Sequence, residues 1–231
     1  MIIEILYPDI ANLYGDHYNI KYLSQSGKDC RIITTSVNDT PYFCDNKIDV
    51  LYLGPMSEVH QELAIDRLNP YKKQLQELIE NDTVVLVIGN ALEVFGTKII
   101  DGNREITGLA LFEHYAKRNF QHRHNSLFLG KYNDLDIVGY KSQFSQSYNN
   151  SHPFIEVING CGLNKEDKFE GIHYRNFFGS YLLGPLLITN PLFTKELLRT
   201  LNQPDDLAYE KAALAAYNQR LKEYQNLKSV F

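Results

Sequence analysis

Few residues of this 231-residue chain have types and spacings that suit chemistry. His122 and His124 alternate, so on a strand they would share one face, as a pair of metal ligands would. No acidic or cysteine partner stands at a matching distance, and the plainer reading is a solvated polar loop over Asn119–Asn125. Cys161 lies in Asn159-Gly160-Cys161-Gly162, a turn from which a thiol would have the freedom to reach a neighbouring cleft. Cys30 and Cys44 sit at a strand start and in a connection. An odd number of cysteines, widely spaced and without a CxxC pair, argues against both a disulfide framework and a zinc site. The remaining place where chemistry is expected is Gly89-Asn90-Ala91. It follows the apolar run Val84-Val85-Leu86-Val87-Ile88 and precedes a short helical pattern, Leu92 and Phe95. A strand turning sharply into a helix is where an α/β enzyme presents its nucleophile. Here that turn carries no Cys, Ser, Thr or Lys.

The elements that would position this turn read as an alternation. Met1–Tyr7, Cys30–Val37, Ile48–Leu53 and Val84–Ile88 are strand candidates, the last two almost unbroken apolar runs as in a parallel strand buried on both faces. Helices are expected at about Asp16–Gln25, Ser57–Asn69 and Pro70–Asn81. Alternating strands and helices imply a parallel sheet covered on both sides. After Gly96 the character changes. Lys98–Ile100 and Arg104–Ile106 flank Asp101-Gly102-Asn103 as a hairpin. Phe112–Tyr115, Ser126–Lys131, Leu135–Tyr140 and Phe154–Ile158 read as short strands. Tyr140–His152 is polar and reads as an exposed excursion, and Gly179–Pro185 reads as a strand stopped by Gly-Pro. Helices close the chain at Asn190–Leu201 and about 206–228, the last with Leu207, Leu214, Tyr217, Leu221 and Tyr224 in a stripe that either packs on the sheet or grips a partner. The expected class is α/β, a mostly parallel sheet flanked by helices with a β-rich second half, all within one domain spanning 1–231.

Composition narrows function further. Hydrophobic residues make up 44% of the chain, enough for a sizeable core, and the net charge of −5 argues against general binding to nucleic acid or anionic membranes. No apolar run approaches the roughly 20 residues that span a bilayer, and the first ten residues lack the pattern of a signal peptide. The expectation is a cytoplasmic protein with reduced thiols and no membrane insertion.

Several segments carry a family resemblance: Asn12-Leu13-Tyr14-Gly15-Asp16 with Asn19-Ile20, Asp49–Gly54, the strand–turn–helix at 84–96, and above all Glu170-Gly171-Ile172-His173-Tyr174-Arg175-Asn176 followed by Gly179–Pro185. Together they resemble the class I (triad) glutamine amidotransferases, in the cobyric-acid-synthase-like, GatD-like branch. The resemblance spans about 1–225 and implies a flavodoxin-like fold. It also implies a partner, an ATP-dependent Mur-ligase-type (MurT-like) amide ligase, and work on cell-wall precursors. In that family a cysteine at the elbow attacks the glutamine amide, and a histidine in the later motif is its base. The matching positions here are Gly89 and Leu183. A glycine cannot attack a carboxamide and a leucine cannot accept its proton. Other departures agree. Pro55 removes a backbone donor from the turn that would stabilise the oxyanion. The elbow glutamine becomes Glu93. Ser142–Gln146 lacks the arginine that would hold the substrate carboxylate.

The expected catalytic residues are therefore none, with no cofactor and no metal. One reading is a non-catalytic subunit docked to the ligase. Another is a sensor in which Gly54, Asn90, Glu93 and Gln143 line the emptied pocket and hold a polar small molecule, neutral or cationic because the family's arginine is lost and Glu93 is gained. A third is an amidotransferase with a relocated nucleophile, Cys161 being the candidate.

Overall fold

The computed structural model describes residues 1–226. In chain order, strand β1 (Ile2–Leu6) is followed by helix α1 (Tyr18–Ser26), β2 (Arg31–Thr35), β3 (Val50–Leu53), α2 (Glu58–Leu68), α3 (Lys72–Glu80), β4 (Val84–Ile88) and the single turn α4 (Ala91–Val94). The second half runs β5 (Lys98–Asp101), β6 (Arg104–Thr107), β7 (Tyr115–Arg118), β8 (His124–Tyr132), β9 (Leu135–Gln143), β10 (Ser145–Tyr148), β11 (Pro153–Asn159), β12 (Phe169–Tyr174) and β13 (Phe177–Ser180). It closes with α5 (Leu186–Thr189), α6 (Pro191–Thr200) and α7 (Glu210–Asn226).

Nine strands form one sheet in the order β2-β1-β3-β4-β13-β12-β11-β8-β9. It is parallel from β2 to β13 and antiparallel from β13 to β9. β3 and β4 are buried along their whole length because helices cover both faces. Their side chains alternate between two cores. Leu51, Leu53, Val85 and Val87 meet Ala64 and Leu68 of α2 and Leu75 and Ile79 of α3. On the other face Val50, Tyr52, Val84 and Leu86 meet α1, α5 and α6. The helix α7 sets Tyr217, Leu221 and Tyr224 on Leu129 and Val138, and the Tyr217 hydroxyl donates to the Asp136 carbonyl at 2.8 Å. The stripe therefore packs on β8 and β9. The part of the expected 206–228 helix beyond 226 lies outside the described residues.

A second sheet, β10-β7-β5-β6, holds the expected hairpin, β5 paired with β6 through a turn in which Gly102 has φ +59°. Two expectations change here. The strand expected at Phe112–Tyr115 begins only at Tyr115, because Phe112 and His114 turn inward. Phe112 packs 4.5 Å from the Phe177 ring, and His114 Nε2 lies 3.1 Å from the Leu92 carbonyl. Tyr140–His152 is no exposed excursion: β9 runs through Gln143, β10 follows, and Lys141, Gln143, Ser145 and Ser147 are all buried.

Candidate functional site

The end of β4 keeps the backbone of a nucleophile elbow. Gly89 has φ +66°, a left-handed conformation that costs a side-chain-bearing residue about 1–2 kcal/mol. Its N–H donates to the Ser180 carbonyl of β13 at 2.8 Å, and its carbonyl accepts from Leu92 N at 3.2 Å, starting α4. The space that a side chain would enter is taken. A Cβ on Gly89 would lie 2.7 Å from Pro55 Cβ and 3.5 Å from Leu183 Cδ2. The positions corresponding to nucleophile and base thus lie close together, with Pro55 and Leu183 both at the space a Gly89 side chain would enter.

The turn that carries Pro55 is fixed from both sides. Asn90 Nδ2 donates to the Met56 carbonyl at 2.8 Å while Met56 N–H donates to Asn90 Oδ1 at 3.0 Å. With Pro55 lacking an N–H, the adjacent backbone donor is therefore committed to Asn90. Ser57 then caps α2, accepting from His60 N at 3.3 Å. Gly54 allows the turn to approach the first βα connection, since a Cβ there would lie 2.7 Å from the Ala11 carbonyl.

A cavity of about 210 Å³ opens over this elbow, with Pro55, Gly89, Asn90, Gln143, Tyr181 and Leu183 among its walls. Among the described residues neither a cysteine nor a histidine lines it. Of the four expected ligand contacts, Asn90 and Gln143 line the cavity, whereas Gly54 and Glu93 do not. Glu93 is turned beneath the elbow and is 1% exposed. It accepts from Ser145 Oγ, from Gln61 Nε2 at 3.0 Å and from the Tyr181 hydroxyl at 3.0 Å. Burial pushes its carboxyl above the ordinary value, and these hydrogen bonds, with the nearby Arg118 charge, oppose that shift. Gln61 relays to Arg118, whose Nη2 donates to Gln61 Oε1 at 2.6 Å and whose Nη1 meets Glu62 at 3.1 Å and Asp101 at 3.2 Å.

A second buried pair went unread in the sequence. Lys141 and Glu170 are both fully buried, with Nζ and Oε1 3.8 Å apart. Lys141 also donates to the Gly162 carbonyl at 2.5 Å and the Cys161 carbonyl at 3.2 Å. Glu170 accepts from Ser180 Oγ at 2.8 Å and from Tyr181 N at 2.8 Å. Burial draws the lysine down and the carboxyl up, and each charge resists the other's shift. Glu170-Gly171 and the 180–181 peptide were visible as motif text, but nothing marked Lys141 as their counter-charge.

A cation does reach the cavity. Arg123 comes from the turn before β8, lies 4.2 Å from the Phe144 ring centroid, and donates to Ser142 Oγ at 3.2 Å and to the Tyr14 hydroxyl at 3.2 Å. The expectation of a cavity without positive charge, suited to a cationic ligand, is therefore revised. Cys161 does not line the cavity, and burial raises its thiol above the ordinary value. His122 belongs to the turn and His124 opens β8, its Nε2 2.9 Å from Ser126 Oγ. Among the described residues no three His, Cys, Asp or Glu side chains gather as metal ligands would. Asp16 is buried, accepts from the Tyr52 hydroxyl and from Asn19 Nδ2 at 3.0 Å, and burial raises its carboxyl to about 7.

The model of the CobB/CobQ-like glutamine amidotransferase domain matches residues 2–191. The chain belongs to that family. Among characterised relatives, the lipid II isoglutaminyl synthase (glutamine-hydrolyzing) subunit GatD of Staphylococcus aureus (strain N315) is 31% identical over 206 residues, covering 87% of this chain and 84% of that protein. The subunit of the same name from Streptococcus pneumoniae (strain ATCC BAA-255 / R6) is 29% identical over 209 residues, covering 84% and 78%. A crystal structure of a glutamine amidotransferase shares the fold, with a TM-score of 0.59 at 10% identity over 86% of this chain and 98% of the other. Within this glutamine-amidotransferase-like frame, no helix among the described residues is long and apolar enough to cross a membrane.

Proposed function

We propose that this chain is a non-hydrolysing glutamine-amidotransferase-like subunit that docks an ATP-dependent amide ligase of the Mur-ligase (MurT-like) type, in the amidation of a lipid II-like cell-wall precursor. The relatives' names, each a subunit of a glutamine-hydrolyzing lipid II isoglutaminyl synthase, support a subunit role; the family resemblance suggests the ligase, and the filled elbow supports the loss of hydrolysis. The observation that carries the reading is the approach of Pro55 to within 2.7 Å of any Cβ on Gly89, opposite Leu183. A reaction that needs an activated nucleophile and a base has neither atom nor room for one there. The subunit would then scaffold the ligase, which would use free ammonia.

Two measurements together test this. Incubation with glutamine is expected to release no glutamate or ammonia above a protein-free control. Affinity capture from the protein's own cells is expected to recover a Mur-ligase-like protein in a stable stoichiometric complex. Glutamine turnover by the purified chain would overturn the loss of hydrolysis, and capture without any ligase would overturn the docking role.

One observation favours a second reading, a binding module for a polar small molecule. The 210 Å³ cavity is retained and Arg123 supplies it with a charge. A thermal-shift screen of amino acids with the wild-type chain separates this reading from the first, because a ligand of the folded state raises its melting temperature.

A further inference from the structure

A second cavity, about 500 Å³, adjoins the first and shares Arg123, Gln143, Phe144 and Ser145 with it. Its walls come from the end of β7, the 119–123 turn, the start of β8, the strand β10 and the loop that leads into β12. Six basic side chains line it: Lys117, Arg118, His122, Arg123, His124 and Lys165. No carboxylate does, in a chain whose net charge is −5. This is the reverse of what the overall composition would place at random.

The partners of these groups divide them. Arg118 is neutralised by Glu62 and Asp101. Lys117 forms no ion pair among the described residues; its Nζ stands 5.0 Å from the Tyr148 ring centroid and 5.7 Å from that of Tyr115. Arg123 lies against Phe144 and uses one guanidinium nitrogen on two hydroxyls, leaving other donors of its planar fork unassigned. Lys165 forms no ion pair among the described residues. Three full positive charges, none of them in an ion pair among the described residues, thus converge on one concavity, with Glu166 near enough to Tyr148 to help raise its hydroxyl, and a cleft with walls of low dielectric strengthens such a field. Burial, then the Lys141 and Lys165 charges, hold the His124 imidazole below the ordinary value.

We propose that this cavity binds a small phosphate-bearing anion, with Lys117, Arg123 and Lys165 as its cationic contacts. Three unneutralised cations match a multiply charged anion better than a single carboxylate, and a guanidinium presents parallel donors to two phosphate oxygens. Phe144 and Tyr148 add aromatic surface for an organic portion of the ligand. The site is a pocket rather than a basic stripe, which suits a compact ligand and not a nucleic-acid backbone.

Isothermal titration calorimetry on the full chain, with inorganic phosphate, pyrophosphate and ADP as probes, tests the assignment. Saturable binding of at least one probe is expected at concentrations up to about 1 mM. It is expected to weaken as salt is raised, since these charges are open to solvent. The double variant Lys117→Glu/Lys165→Glu is expected to lose about tenfold or more in affinity, and Lys117→Gln/Lys165→Gln an intermediate amount. The control Lys47→Glu/Lys222→Glu makes the same change in net charge away from the cavity and is expected to retain binding. If ADP binds about tenfold tighter than inorganic phosphate, the ligand is an organic phosphate; equal affinities make it the free anion. No saturable heat with any probe, or an equal loss in the control variant, would overturn the proposal.

Discussion

The elbow at Gly89 and the polar belt just beneath it have been treated in opposite ways. At the elbow the left-handed turn carries no side chain, and Pro55 and Leu183 stand where a Cβ on Gly89 would reach. One helical turn away, Glu93, Arg118, Lys141 and Glu170 remain buried and paired. Glycine holds a left-handed conformation without strain, so the elbow persists without any reactive group. Buried charges are different, because each is costly unless its partners are in place. The belt links α2, α4, β7, β9, β10, β12 and β13 by side chains that cannot be removed singly. The frame is thus kept by interactions that catalysis at the elbow does not require, which fits a subunit valued for its shape.

The sharpest way to break that comparison is at the buried pair. Lys141→Met leaves Glu170 without its cation in the interior, and should lower unfolding stability in urea by about 3–5 kcal/mol. Lys141→Met/Glu170→Gln removes both charges and should recover most of that loss. Equal destabilisation by the single and double variants would mean that the two groups act independently, and the belt would then be a set of separate contacts.

How much of this could be read from the chain alone follows from the same contrast. The β3 and β4 runs are continuous stretches of Val, Leu and Ile, so burial on both faces is written in residue type. The hairpin about Gly102 was likewise legible from its turn residues. The emptied elbow was legible as text, because an absent cysteine and histidine show in any sequence. Its Asn90 clamp and the Pro55 contact were not, because they depend on two βα turns meeting in space. The stretch 141–147 alternates buried and less buried residues as a strand should, yet its inward positions are Lys141, Gln143, Ser145 and Ser147. Patterning by hydrophobicity reads such a strand as exposed loop, since the inward groups are satisfied by tertiary partners rather than by apolar contact. Glu93 failed for a related reason. Its match to the family's elbow glutamine suggested the pocket, but α4 turns it under the elbow toward Gln61 and Tyr181. Arg123 came from a polar turn whose course over Phe144 no local signal specified.

A second prediction sharpens the other side. Gly89→Cys restores a thiol to the elbow but puts a side chain at φ +66° and a Cβ 2.7 Å from Pro55. Stability should fall by about 2–5 kcal/mol, the sum of the left-handed penalty and the contact. Glutamine turnover should remain absent, because Leu183 cannot act as base. Adding Pro55→Gly should return part of the stability by removing the clashing ring. Turnover by Gly89→Cys alone would show that only one atom had been lost, and the elbow could no longer be set against the belt as a region refilled for packing.

The smallest effect is expected at Asn90, where the two regions meet. Its side chain makes both hydrogen bonds to the Met56 peptide, so Asn90→Ala removes a donor and an acceptor together. Were that peptide deeply enclosed, two unsatisfied groups would cost several kcal/mol. Met56 and Asn90 instead line the 210 Å³ cavity, where water can take over part of the bonding. A loss of about 1 kcal/mol is therefore expected, read as a lower urea midpoint with an unchanged slope. A loss as large as that of Lys141→Met would place the clamp among the elements that hold the frame. The elbow would then belong to the belt, and its filling would be structural rather than what is left once catalysis is given up.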